Sequence, residues 1–145
     1  MNFYVDTSVI VRVLRGQKDA WKAWGHWEKV FSSALLTVEC RRFIDRMRLE
    51  YQWSDEDVAD AGVQLRRLER VVSKVRLSAA VMERAAAPMP TIIKTLDAIH
   101  IATAALVRER LQPDLVFVTH DQQQARAARA LGFDCADTNL SADIY

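Results

Sequence analysis

The chain has 145 residues, half of them hydrophobic and 27% charged, with 20 Lys and Arg against 19 Asp and Glu for a formal net charge of +1. That length fits one domain, able to bury about 68–70% of its unfolded surface, and the composition excludes a disordered, collagen-like or disulfide-stapled chain. A charge this close to zero excludes a global field that gathers nucleic acid, so any such contact must come from local patches.

Cys40 and Cys135 are far apart and lack metal-ligand spacing, which points to two reduced thiols. No basic start followed by a long apolar stretch opens the sequence, and no apolar run approaches the roughly 20 residues of a membrane span. The expected location is the cytoplasm. No linker, repeat or low-complexity segment divides the chain, so residues 1–145 read as a single domain.

In chain order, Phe3-Tyr4-Val5 is a short apolar run that reads as a buried strand ending at Asp6. Thr7 or Ser8 then caps a helix through Val9, Ile10, Val13 and Leu14, stopping near Gly16. Asp19 to Val30 reads as a second helix, with Trp21, Trp24 and Trp27 at spacings of three. Ser33 to Leu36 is the next strand, and a long helix starts at Thr37. Ser54 followed by three acids starts another helix, to about Leu68. Val71 to Val75 is a candidate strand, and Ser78 caps a helix to Ala87. Pro88-Met89-Pro90 breaks the pattern. Thr95 to Arg110 is a long helix, Leu115 to Val118 a strand, Gln122 to Leu131 a helix closed by Gly132, and Phe133 to Ala136 a last strand. This alternation predicts an α/β fold: a three-layer sandwich with a central parallel sheet of about five strands and helices on both faces.

Four acids stand out. In such sheets ligands bind at the carboxyl ends of the strands. Asp6 and Asp121 each follow a strand end. Glu39 and Asp97 each fall in the predicted first turn of a helix, Asp97 between Leu96 and Ala98-Ile99, where a bare charge needs a partner. A carboxylate at a helix start also serves as a cap or dipole partner, so each acid has a structural reading beside the chemical one. Carboxylate oxygens are hard donors suited to Mg2+ or Mn2+. One or two such ions can activate water and stabilise the oxygens of a phosphoryl displacement. Without a cation, clustered carboxylates repel and their pKa values should rise.

The motifs around these acids resemble a known family. Val5-Asp6-Thr7-Ser8 is similar to the opening of PIN-domain proteins, and Ser32 to Glu39 to their second motif. Leu96-Asp97-Ala98-Ile99-His100-Ile101-Ala102-Thr103-Ala104 resembles the third motif closely. Val118-Thr119-His120-Asp121 with Ala127 to Phe133 resembles the fourth. At this length the resemblance is to VapC-type toxins of toxin–antitoxin pairs. It implies a Mg2+-dependent endoribonuclease, with Mn2+ a plausible substitute, that cuts RNA by metal-activated water. It also implies a five-stranded sheet, a homodimer and a cognate antitoxin that blocks the site. Asp6, Glu39, Asp97 and Asp121 would form the catalytic and metal-binding quartet, with Ser8 and Thr119 lining the site.

His100 shares a helical face with Asp97 and could approach a metal, or be a packed, hydrogen-bonded histidine. His120 alternates away from Asp121. Arg41, Arg42 and Arg46 follow Glu39 and are candidate contacts for RNA phosphates, or a solvated helix face. The three tryptophans could stack bases, but their spacing favours core or interface packing. Two rival functions remain: a catalytically silent PIN-like module that binds RNA or protein, and an aspartyl phosphotransferase attacking through Asp6. Asp6-Thr7-Ser8 lacks the second Asp, two residues on, that dehalogenase-like phosphatases use.

Overall fold

The structure, a computed structural model, describes residues 1–17, 21 and 23–137. Its sheet has five parallel strands: β1 (Asn2–Val5), β2 (Lys29–Ser33), β3 (Ser73–Val75), β4 (Val116–Thr119) and β5 (Asp134–Asp137). Their order across the sheet is β3-β2-β1-β4-β5. Parallel neighbours need crossovers, and six helices supply them: α1 (Thr7–Leu14), α2 (Leu35–Glu50), α3 (Asp55–Val71), α4 (Ala79–Ala86), α5 (Thr95–Arg110) and α6 (Gln122–Ala130).

Strand alternation divides the core in two. Phe3, Val5 and Val118 face a cluster with Val9, Ile10, Leu36, Phe43, Leu65 and Leu68 from α1, α2 and α3. Tyr4 and Phe117 face the opposite layer, with Ile101, Ala104, Ala127 and Ala128 from α5 and α6. α4 packs on α5 through Val81, Ile99, Ala102 and Leu106. Every residue of α5 from Ala98 to Val107 is buried. A helix apolar all round is an interior helix, and its alanines let the neighbouring layers approach closely. The expected three-layer α/β architecture is therefore the observed one.

Several local expectations change. The cap of α1 is Asp6 itself, whose carboxylate accepts the Ser8 N–H, and not Thr7 or Ser8. Among the described residues of 19–30 there is no helix: residues 23–25 turn, and β2 begins at Lys29; Asp19 lies outside the described residues. Spacings of three among the tryptophans come from a turn folded onto the sheet, where Trp21 meets Phe3 edge-on at 4.6 Å and stacks on Trp27 at 6.1 Å. Tertiary burial of aromatic area produced that pattern.

The second strand consequently ends at Ser33, and Leu36 already belongs to α2. Glu39 thus sits in the second turn of α2, not its first. Other boundaries follow local chemistry. Ser54 and Asp57 form a reciprocal capping box at the start of α3. Gly132 adopts φ 78°, and the Gly132 and Phe133 N–H groups donate back to the Arg129 and Ala128 carbonyls, closing α6 in a Schellman turn.

Candidate active site

Strand order reverses between β1 and β4, because the chain fills one side of β1 with β2 and β3 before crossing to β4 and β5. In open parallel sheets a reversal of this kind is where the carboxyl ends of the strands form a ligand crevice. Asp6 stands on the β1 side and Asp121 on the β4 side. The Asp6 N–H donates to the Val118 carbonyl at 3.0 Å, which ties the two loops together.

Asp6 is only 5% exposed. Its Oδ2 accepts the Ser8 N–H at 3.2 Å and lies 3.0 Å from the Thr119 hydroxyl. Its Oδ1 has no hydrogen bond among the described residues and lies 3.7 Å from His100 Nε2. Asp121 caps α6: its Oδ1 accepts the Gln123 and Gln124 N–H groups at 2.8 and 3.1 Å. Both strand-end acids therefore do what a helix cap does and also face the crevice; the two roles are not exclusive.

Asp97 lies in the first turn of α5 and is half-buried. Its flanks do not bury it as the sequence suggested, since Leu96 is exposed and only Ala98 and Ile99 are buried; sequence neighbours on a helix point in different directions. Burial, then the charges of Asp6 and Asp121, push its carboxyl up to about 6, with Glu39 adding to the rise and His100 opposing it. The expected effect of clustered, uncompensated carboxylates is present at this residue.

Glu39 reaches the same crevice from α2. Its Oε1 accepts the Thr7 hydroxyl at 2.9 Å and lies 2.6 Å from His100 Nε2. His100 is fully buried on α5, with Nδ1 2.9 Å from the Tyr4 hydroxyl. Burial opposes a charge on this imidazole. The hydrogen bond to Glu39 and the carboxylates of Asp6, Glu39 and Asp97 outweigh it, and the pKa is raised. His100 is thus the packed, hydrogen-bonded histidine that was one of its two readings, and its partner Glu39 is one of the four acids. The i, i+3 spacing from Asp97 is the sequence signal for it; its contact with Glu39 joins residues 61 apart and has no local signal.

The Ser8 and Thr119 hydroxyls are 3.3 Å apart, and Ser8 Oγ accepts the His120 N–H at 2.9 Å. Arg41, Arg42 and Arg46 are exposed on α2. Arg42 is paired with Asp45 at 2.9 Å, and Arg41 helps lower the Glu69 carboxyl, against the rise that burial causes. Cys40 is a buried free thiol pushed up to about 12 by burial and by nearby Glu39, and Cys135 is a half-buried cysteine whose Sγ lies near the Ala125 and Phe133 carbonyls.

The donor set is all oxygen, anionic and concentrated beside a buried His, which suits a hard divalent cation in charge and donor type. Asp6 Oδ1 is a donor oxygen left over after the cap is made. Among the described residues no three His, Cys, Asp or Glu side chains already converge tightly enough to hold an ion together; Glu39 is turned onto His100 and Thr7. Nor is any helix of the described residues long and apolar enough to cross a membrane.

A five-stranded parallel α/β sandwich with acids at its strand-order reversal defines the class. The family model described as PIN domain matches residues 3–130. The chain belongs to the PIN-domain family, whose members generally bind divalent metal. A sequence search of curated proteins found no match. Among solved structures, the fold is similar to a chain of the VapBC2 complex of Rickettsia felis bound to a DNA fragment from its promoter. The TM-score is 0.63 at 12% identity, covering 94% of this chain and 98% of that one. It is also similar to a chain of a toxin–antitoxin complex from Klebsiella pneumoniae, with TM-score 0.62 at 16% identity, covering 95% and 98%.

Proposed function

We propose that this protein is a Mg2+-dependent endoribonuclease, the toxin of a toxin–antitoxin pair, with Mn2+ able to replace Mg2+. The observation that carries the reading is the gathering of four acids at the strand-order reversal, where half-buried Asp97 lies within reach of the Asp6, Asp121 and Glu39 charges. Such a cluster is stabilised by a cation. Membership of the PIN-domain family and the likeness to toxin–antitoxin chains support it.

Asp6 and Asp97 would be the principal ligands, and Glu39 and Asp121 would complete the acidic pocket. A bound divalent cation supplies Lewis-acid polarisation of the phosphodiester and makes water acidic enough to attack near neutral pH. Asp6 offers Oδ1 because Ser8 and Thr119 hold Oδ2. His100 holds Glu39 from beneath, at hydrogen-bond distance. Ser8 and Thr119 orient the strand-end loops. Arg41, Arg42 and Arg46 would meet RNA phosphates beside the crevice. A homodimer and a small antitoxin encoded beside the gene are the expected partners.

The test compares wild type with Asp6→Asn. Wild type should cleave RNA with Mg2+ or Mn2+ and arrest growth on expression; folded Asp6→Asn should do neither. Equal cleavage by both proteins rejects the site. RNA binding without cleavage by wild type indicates a silent binding module, and a trapped phosphoryl group on Asp6 indicates a phosphotransferase.

A further inference from the structure

Gln124 is fully buried on α6, three residues past Asp121, and its Oε1 is placed 2.8 Å from the Thr119 hydroxyl while its Nε2 is buried without a partner among the described residues. The Thr119 oxygen is also 3.0 Å from Asp6 Oδ2 and accepts the Asp121 N–H at 3.0 Å. This arrangement has a defect that simple counting exposes. A hydroxyl has one proton and two lone pairs, yet here it faces two acceptors, Asp6 Oδ2 and Gln124 Oε1. Meanwhile an amide donor lies buried and unsatisfied, which is unfavourable.

The amide oxygen and nitrogen of Gln occupy the same shape, so the hydrogen-bond network decides which is which. Exchanging them removes the conflict. Gln124 Nε2 then donates to Thr119 Oγ1, whose second lone pair takes the Asp121 N–H, and the single hydroxyl proton goes to Asp6 Oδ2. Thr119 is saturated and the Gln124 donor is no longer stranded, the partly buried Ser8 hydroxyl 3.3 Å away turns its proton from Thr119, and the amide carbonyl, the less demanding group, takes the position without a partner.

We propose that Gln124 is a positioning residue: its amide nitrogen donates to Thr119, which commits the Thr119 proton to Asp6 Oδ2 and so fixes the Asp6 carboxylate with Oδ1 toward the crevice. Both Oδ2 bonds, from Ser8 and Thr119, then hold the carboxylate in one rotamer. The chain Gln124–Thr119–Asp6 runs from the core of α6, through the end of β4, to the end of β1, so it joins the two strands that border the crevice. Groups behind a ligand set its orientation, and their loss commonly costs 10–100-fold in metal affinity or activity. The consequence for cation binding rests on reading Asp6 as the principal ligand; the direction of the hydrogen bonds does not.

The experiment has two arms. In the metal-free wild-type protein, side-chain NMR should show strong cross-peaks from the Gln124 Nε2 protons to the Thr119 hydroxyl proton. Nε2 protons with no contact to the Thr119 side chain overturn the proposal. In the second arm, Mg2+ binding is measured by calorimetry for wild type, Gln124→Leu, Thr119→Val and the double variant. Gln124→Leu should weaken Mg2+ by about 10-fold, and the double variant should be no weaker than Thr119→Val alone, because both act through one chain. Thr119→Ser, which keeps the hydroxyl, should restore wild-type affinity. Additive losses, or unchanged affinity in Gln124→Leu, overturn the positioning role. Gln124→Met replaces Gln124→Leu if the latter does not fold. If wild type itself binds no Mg2+, the proposed function fails, and the NMR arm still decides the hydrogen-bond chain.

Discussion

His100 Nε2 lies 2.6 Å from Glu39 Oε1, joining α5 to α2 beneath the crevice. Each partner is also held by a hydroxyl: Thr7 donates to Glu39, and Tyr4 braces the far side of the ring at 2.9 Å. The contact explains why the imidazole pKa is raised in spite of burial, since an anion at hydrogen-bond distance offsets its desolvation.

The first prediction concerns this pair. His100 has a raised pKa, above its ordinary 6.5. Its contribution to stability is therefore complete below about 6.5 and is lost as pH rises through the raised folded value. Thermal melts of the metal-free protein should show declining stability on the alkaline side of neutrality. His100→Leu should flatten that decline and lower Tm, whereas His100→Gln, which can still donate to Glu39, should recover part of the stability. An unaltered alkaline slope in His100→Leu would show that the pair does not govern it.

Asp97 gives the second prediction, with the reverse consequence for an acid. Its ordinary pKa is 3.8 and its folded value about 6. The folded state thus holds the proton more tightly, and stability falls as pH rises from about 4 to about 6 and stays lower above. Mg2+ should raise Tm at about pH 7.5, where the carboxylate is charged, and have little effect near pH 4. Asp97→Asn should melt higher than wild type without metal and lose the Mg2+ response. A Mg2+ effect independent of both pH and Asp97 would remove this carboxylate from the site.

Asp6→Asn is the third. Asn retains an oxygen that can cap α1, so folding should survive with a loss of about 1 kcal/mol or less. RNA cleavage should drop by at least two orders of magnitude, read as initial rates on a labelled transcript in Mg2+. A variant that folds and cleaves normally would leave Asp6 as a cap only.

Fourth, Trp21 should matter to stability and not to RNA. It is 2% exposed and packs on Phe3 and Trp27. Trp21→Ala should lower unfolding free energy by about 3–5 kcal/mol in denaturant titrations. RNA affinity per folded molecule should be unchanged; a large loss of affinity at full folding would restore the base-stacking role.

The sequence by itself determined the strand and helix order where a local signal was strong. Apolar runs ended at Asp6 and near Thr119, Ser54 began a capping box, Gly132 closed a helix, and Thr95–Arg110 was read to the residue. The order of elements sufficed for a parallel α/β sheet, and the four acids were marked by their motifs. The segment around Trp21–Trp27 was misread because its threefold spacing mimics a helix, while its conformation is set by burial against β1, a contact with no local trace. What only the tertiary structure decided was which residues meet. The reversal of strand order places Asp6 beside Thr119, 113 residues on, and the burial of α5 puts His100 against Glu39. Those contacts cross layers, and a sequence read along its own length carries period and punctuation but not the partner across the sheet.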